Sequence, residues 1–206
     1  MTRRSEEDAP SHVVGIGASA GGIEALQLLL SRFTLDTTAF VVVMHLLPTK
    51  ESHLVAILSR ATAMSVVTAT NGQTVQKNCI YVIPPAFMLT LTDEGRLRLA
   101  TLPPTVPRWT IDRLFESLSA LGRGAAGVIL SGNGSDGSRG LQAIRSSGGA
   151  TFVQDPETAR FSEMPRNARP VSDYCLAPEA LGDALMAYIE AEVKARSSTG
   201  AHSSLR

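Results

Sequence analysis

The sequence predicts an α/β fold: a doubly wound, mostly parallel sheet with helices on both faces and one antiparallel hairpin. Three observations lead there. Short runs such as "AFVVVMHL", "CIYV" and "GVIL" are apolar throughout, as strands buried on both faces require. They alternate with stretches whose apolar residues recur at helical spacing, the order that builds parallel crossovers. One stretch, Phe87 to Ala100, instead alternates apolar and polar residues on either side of a turn.

Each element follows from its own residues. "HVVGIG" is a β-branched strand. "GGIEALQLLLSRF" is a helix, because Ile23, Leu26, Leu29 and Leu30 share a face. "AFVVVMHL" is the second strand, "ESHLVAILSRA" a helix and "MSVVTA" a short strand. "CIYVIPP" is a strand stopped by two prolines, which cannot donate to a ladder. In the hairpin, Phe87, Leu89 and Leu91 alternate with Met88 and Thr90, "DEG" turns, and Leu97 and Leu99 alternate with Arg96 and Arg98. After the proline-bearing "TLPPTVPRW" come the helix "TIDRLFESLSALG", the strand "AAGVILSG", a helix near "RGLQAIRSSG" and the strand "ATFVQ". The amphipathic helix "PEALGDALMAYIEAEVKA" closes the body. One domain over 12–194 is expected, between loose polar tails at 1–11 and 195–206. His12 and His202, at the edges of those tails, carry no expected role.

Composition narrows the function classes. Of 206 residues 44% are hydrophobic, enough for a self-sufficient core. Charged residues make up 18% and balance to zero, which argues against broad attraction to nucleic acid or an anionic membrane. Cys79 and Cys175 are far apart and read as free thiols, which suits the cytoplasm. No apolar run approaches the roughly 18–20 residues of a membrane span, so direct membrane insertion is not expected. "MTRRSEEDAP" has no hydrophobic segment behind its arginines and is not a signal peptide. His45 and His53 straddle a proline turn without a zinc-like cluster, so neither metal nor cofactor is expected.

In open α/β sheets the functional crevice lies beyond the carboxyl ends of the strands. Three strand exits there carry chemistry: Ser19, His45 and Asp136. The first exit, "VVGIGASAGGIEAL", reads in three ways. Gly15, Gly17 and Ala20 fit a dinucleotide fingerprint, but that needs an acid about 20 positions on, at the end of the second strand. That strand ends in Met44-His45-Leu46, and Asp36 precedes it. A phosphate-binding loop is also excluded, since no Gly-Lys-Ser/Thr follows. Gly17, Ser19 and Gly21 fit the nucleophile pattern G-x-S-x-G, whose serine sits at a strand-to-helix turn beside N–H groups suited to an oxyanion. Only one strand precedes Ser19 and the order is serine, histidine, aspartate, so this is not an ordinary α/β-hydrolase. A triad is defined by geometry, not chain order. The bland readings make Ser19 a helix N-cap, His45 a structural histidine and Asp136 a turn residue.

The landmarks "GIGASAGG", "VVVMHLLP", "YVIPP", "ID.LFESL" around Asp112, "GVILSGNGSDG", "GGATFVQDPETA" and "MPRNA" occur in one order over nearly the whole body. This pattern resembles the catalytic domain of the chemotaxis protein-glutamate methylesterases, the CheB family. The resemblance implies Ser19 as nucleophile, His45 as base and Asp136 as its carboxylate, with Ala20, Gly21 and Asn133 lining the oxyanion side. It implies hydrolysis of glutamate γ-methyl esters on chemoreceptors or similar signalling proteins, and deamidation of glutamine. "SGxGSDG" and "QDPE" look most like the form fused to a methyltransferase and a sensor kinase, which implies those as partners. Ala20 stands where many members have threonine, and Asn133 where methionine is common. These departures favour a second function class, a catalytically weak interaction or regulatory module. A third is an esterase acting on another ester.

Overall fold

The computed structural model describes residues 8–45, 53–101 and 109–203, with side chains as far as 198. The end of the "HLLP" motif, the first two residues of the expected second helix and most of the proline-bearing segment lie outside the described residues. Seven strands form one sheet: β1 (His12–Ala18), β2 (Thr38–Met44), β3 (Ser65–Thr68), β4 (Cys79–Val82), β7 (Ala125–Ile129), β8 (Ala150–Gln154) and β9 (Tyr174–Leu176). Their order is β3-β4-β2-β1-β7-β8-β9, and every pairing is parallel. β5 (Phe87–Leu91) and β6 (Leu97–Thr101) make the separate antiparallel hairpin. The helices are α1 (Gly22–Arg32), α2 (Leu54–Leu58), α3 (Thr110–Leu118), α4 (Ser138–Ser146), α5 (Glu163–Ala168) and α6 (Pro178–Ser203).

Strand alternation sorts the core into two layers. Val14, Ile16 and Ala18 join Phe40, Val42 and Met44 on one face, beneath Leu26, Leu29, Leu58 and Leu185 of α1, α2 and α6. Val13, Val41, Val43 and Ile129 face the other way, toward α3, α4 and the hairpin. On that second face the sheet admits α3 at close range. A Cβ on Gly17 would overlap Ile111 Cγ2, and one on Gly15 would lie 2.6 Å from Leu118 Cδ1. The glycines that imitate a dinucleotide fingerprint therefore make room for a helix. The hairpin buries Leu89 and Leu97 and leaves Arg96 and Arg98 exposed. It docks on α3 through Leu91 N–H donating to Ser117 Oγ at 2.9 Å.

Two elements were not expected. β9 has three residues, too few for a period to show, and α5, "EMPRNA", carries a proline and three polar residues. The expected tails also differ. α6 continues to Ser203, past the boundary set at 195. There Ser197 and Ser198 hydroxyls donate back to Val193 and Lys194 carbonyls, each at 3.0 Å, and Arg196 reaches Ser11 O at 3.3 Å. At the other end Ser11 N–H donates to Thr37 O at 2.8 Å, and Lys77 N–H donates to Asp8 O at 3.1 Å. The described part of 1–11 is thus tied to the sheet. His12 opens β1 with 1% exposure, a core residue instead of an incidental one. Both cysteines are free. Among the described residues no helix is long and apolar enough to cross a membrane.

Candidate active site

The parallel register places Ala18 opposite Met44. The next residues, Ser19 and His45, therefore leave neighbouring strands at the same level, and on the face that α3 covers. His45 N–H donates to Ala18 O at 3.2 Å, and Ser19 N–H donates to Ser131 O at 3.0 Å. Ser19 is so held between the exits of β2 and β7, the two neighbours of β1, where the strand order turns.

The third exit delivers the carboxylate. Asp136 Oδ2 lies 2.8 Å from His45 Nε2, the histidine side chain being 27% exposed and the aspartate 5%. The same Oδ2 accepts from Ile111 N–H at 3.0 Å, and Oδ1 accepts from Asp112 N–H at 2.9 Å. Those amides belong to the first turn of α3, where unpaired N–H groups and the helix dipole favour an anion. The aspartate is thus a positioned partner of the histidine and not a solvent-facing turn residue. With Nε2 engaged, Nδ1 is the ring nitrogen left for a hydroxyl.

Ser19 does not cap α1. The N-cap is Gly21, at φ 71°, without a side-chain cap bond. The glycine suits that left-handed backbone, which lets the chain turn from β1 into α1 within three residues. Gly22 N–H donates to Ser19 O at 3.0 Å. None of the described residues hydrogen-bonds the Ser19 hydroxyl, so the imidazole–carboxylate bond is formed and the hydroxyl–imidazole bond is not. Ala20 and Gly21 follow Ser19 in the same turn, and among the described residues their N–H groups have no acceptor. Asn133 is exposed in the loop between β7 and α4.

That loop lies directly against the serine. A Cβ on Gly132 would come 2.8 Å from Ser19 Cβ and would overlap Met164 Sδ. A segment that sequence reasoning left without a role holds it there. Ser131 N–H donates to Gln154 Oε1 at 2.9 Å, and Ser131 Oγ donates to Ala20 O at 2.8 Å. Gly132 N–H donates to Phe161 O and Met164 N–H to Gly132 O, both at 2.9 Å. Gly134 N–H donates to Glu163 Oε2 at 2.8 Å, and Asn167 Nδ2 donates to Gly134 O at 2.9 Å. The signal in the sequence was the pair "QDPETA" and "MPRNA", visible as landmarks but without a chemistry of their own.

Asp112 is the other residue without an assigned role. It is 3% exposed, and its Oδ1 accepts from Gly137 N–H at 3.0 Å and Gly140 N–H at 2.7 Å. Burial pushes its carboxyl above the ordinary aspartate range; the Gly140 N–H opposes this, and the neighbouring Asp136 charge adds to it.

Comparisons with known proteins bear on the family and the fold. A family model described as CheB methylesterase matches residues 14–185. The protein-glutamate methylesterase/protein-glutamine glutaminase 1 of Myxococcus xanthus is 36% identical over 165 residues, 77% of this chain and 48% of that protein. Its counterpart numbered 2 in Burkholderia thailandensis is 34% identical over 163 residues, 77% of this chain and 46% of that protein. An uncharacterized 104.1 kDa protein of Rhodobacter capsulatus is 39% identical over 152 residues, 72% of this chain but 16% of that protein. The chain thus spans about half the length of the first two relatives and far less of the third. The crystal structure of the Thermotoga maritima CheB methylesterase catalytic domain has the same fold, with a TM-score of 0.76 at 24% identity, covering 87% of this chain and 97% of that one.

Proposed function

Because the chain belongs to the CheB methylesterase family, we propose that it hydrolyses the γ-methyl ester of glutamate side chains in a protein substrate. The observation that carries this reading is the 2.8 Å bond between His45 Nε2 and Asp136 Oδ2, formed at the strand exits beside a serine that caps no helix.

Ser19 Oγ attacks the ester carbonyl while its proton passes to His45 Nδ1. Asp136 fixes the imidazole by its other nitrogen and stabilises the imidazolium. The charge that develops on the carbonyl oxygen falls to main-chain donors, Ala20 and Gly21 N–H, with Asn133 lining the same side. These donors belong to the backbone, so a threonine hydroxyl at position 20 is not required. The tetrahedral intermediate collapses by breaking the bond to methoxide, which leaves as methanol with the proton from His45. Water, deprotonated by His45, then releases the glutamate from Ser19. Glutamine is handled by the same steps with ammonia leaving.

On this reading the substrate is a methylated chemoreceptor or similar signalling protein. The working partners are a methyltransferase, which makes the ester removed here, and a sensor kinase; the "SGNGSDG" and "QDPE" motifs support both. A cytoplasmic location fits the two free cysteines.

The test is methanol release from a methylated receptor. Ser19→Ala is expected to lower kcat by about 10⁴- to 10⁶-fold, as in other triads. Equal rates in the two proteins would overturn the reading. The unformed Ser19–His45 bond favours the runner-up, a non-hydrolytic regulatory module, although such bonds often close only around substrate. A wild type inert toward both methylated receptor and small esters would establish it, whereas turnover of small esters alone would point to another ester as substrate.

A further inference from the structure

We propose that Trp109, Arg160 and Phe161 form the docking rim that holds the protein substrate, and that the docked segment carries a carboxylate close to the esterified glutamate. This deepens the hydrolase reading above and rests on it for the identity of the occupant.

Four large apolar side chains are exposed among the described residues: Leu28, Trp109, Phe161 and Tyr174. Two of them belong to segments that meet the candidate site, Trp109 by its place next to α3 and Phe161 by its packing against Gly21. Trp109, 46% exposed, immediately precedes α3, whose first-turn amides hold Asp136. Phe161 lies on the serine side. A Cβ on Gly21 would sit 2.9 Å from Arg160 Cβ and 3.1 Å from Phe161 Cδ2.

The main chain of Phe161 is fixed at both ends while its ring faces water. Its N–H donates to Ser131 Oγ at 3.0 Å, and its carbonyl accepts from Gly132 N–H at 2.9 Å. An aromatic ring on an immobilised backbone loses little freedom when a partner covers it, which is what makes such residues binding hot spots. Singly exposed apolar residues need no explanation, but two around one reactive centre do.

Charge selects the partner. Arg32, Arg113, Arg123, Arg139, Arg145 and Arg166 each pair with a carboxylate. Arg160 forms no ion pair among the described residues, and neither do Arg60 and Arg169, but Arg160 packs against Gly21 beside the serine; its guanidinium lies 6.0 Å from the centroid of the Phe161 ring. An exposed guanidinium without a carboxylate partner of its own is suited to receive one from outside, in a bidentate pair. A carboxylate of the docked segment close to the ester would supply it.

The experiment measures binding with chemistry removed. Ser19→Ala is titrated with a fluorescent peptide bearing one glutamate γ-methyl ester, flanked on both sides either by glutamates or by lysines. The glutamate-flanked peptide should bind about tenfold tighter, and adding Arg160→Glu should reverse the order. Phe161→Ala or Trp109→Ala should weaken both peptides. Equal affinity for the two peptides, or no change with Arg160→Glu in a variant of unaltered melting temperature, would overturn the rim. Methanol release by wild type tests the hydrolase separately. A wild type that releases methanol while the charge preference is absent loses only the rim. One that shows the preference but releases no methanol keeps the rim and loses the hydrolase.

Discussion

The carboxylates of Asp112 and Asp136 cap each other's helices. Asp136, just before α4, accepts from Ile111 and Asp112 N–H in the first turn of α3. Asp112, inside that turn, accepts from Gly137 and Gly140 N–H at the start of α4. Neither helix has a side-chain cap from its own N-cap residue. The exchange satisfies four N–H groups that a buried helix start would otherwise strand. It also fixes the position of α4 relative to α3, and with it the carboxylate that meets His45.

Replacing Asp136 by asparagine cannot preserve this set. With its oxygen at the Oδ2 position the amide NH₂ faces Asp112 N–H, and with its oxygen at Oδ1 the NH₂ faces Ile111 N–H and the imidazole. The second orientation also favours the imidazole tautomer that carries its proton on Nδ1, the wrong one for a base. Asp136→Asn is expected to lower kcat by about 10⁴-fold, as the equivalent change does in a serine protease. An opposed buried N–H should cost about 1–3 kcal/mol of stability as well. Steady-state kinetics and urea unfolding read the two effects; a kcat within a factor of ten of wild type would remove Asp136 from the mechanism.

Asp112 predicts the opposite behaviour. Asparagine can keep Oδ1 where Gly137 and Gly140 N–H converge, so Asp112→Asn should stay within about 1 kcal/mol of wild type at pH 7. Asp112→Ala strands both amides and should lose about 1–3 kcal/mol. Because burial raises the Asp112 carboxyl above its ordinary value, the fold prefers it protonated. Its contribution is complete below the unfolded aspartate range, about pH 4, and is lost as pH rises through the raised value. Asparagine has no such loss, so its stability relative to wild type should improve between pH 4 and 7. Urea midpoints that shift in parallel over that range would contradict the assignment.

His12 places a second pH dependence far from the site. The ring meets Tyr188 edge-on, with centroids 6.0 Å apart, and Nδ1 lies 3.1 Å from Ser11 Oγ. Burial, then the Arg196 charge, lowers its pKa from 6.5 to about 4, against an opposing Arg123 backbone bond. The unfolded chain takes up this proton near pH 6.5 and the folded chain only near 4. Stability from neutral His12 is therefore whole above 6.5 and lost as pH falls toward 4, on the order of 3 kcal/mol in all. His12→Phe keeps the ring contact and removes the proton site. Its unfolding free energy should fall less steeply than that of wild type between pH 6.5 and 4; equal slopes would refute the assignment.

The legible parts of this molecule were those with a local pattern. Runs such as Phe40–Met44 and Val128–Leu130 read as buried strands because every residue in them is apolar, and the exits at Ser19, His45 and Asp136 followed from where the runs stopped. What pairs across space without a period was not legible. β9 has three residues, and its place is set by pairing with β8. Asp112 lies inside an amphipathic helix, where its sequence neighbours do not reveal that Gly137 and Gly140, some 25 residues on, are its partners. The brace from Gln154 to Asn167 likewise joins side chains to main-chain groups roughly 20 to 30 residues away and adds main-chain pairs such as Gly132 with Phe161, which no local pattern displays.

Gly17 ties the fold to the site most directly, and its test separates packing from chemistry. A Cβ there would overlap Ile111 Cγ2 and come within 3.0 Å of Ile111 Cδ1 and Ile129 Cδ1. Strand atoms in the middle of the sheet cannot retreat, so Gly17→Ala must push the first turn of α3 outward. Overpacking of this kind costs about 1–3 kcal/mol. The displaced turn is the one whose Ile111 and Asp112 amides hold Asp136, so activity should fall further than global unfolding explains, even at a temperature where the variant is fully folded. Removing the obstructing branch in the double variant Gly17→Ala/Ile111→Ala should return much of the activity while leaving stability low, because the isoleucine's burial is lost too. Recovery of neither activity nor the His45–Asp136 imidazole N–H resonance in the double variant would show that Gly17 acts by something other than admitting α3. Full activity in Gly17→Ala alone would show that the helix can shift without carrying the carboxylate with it.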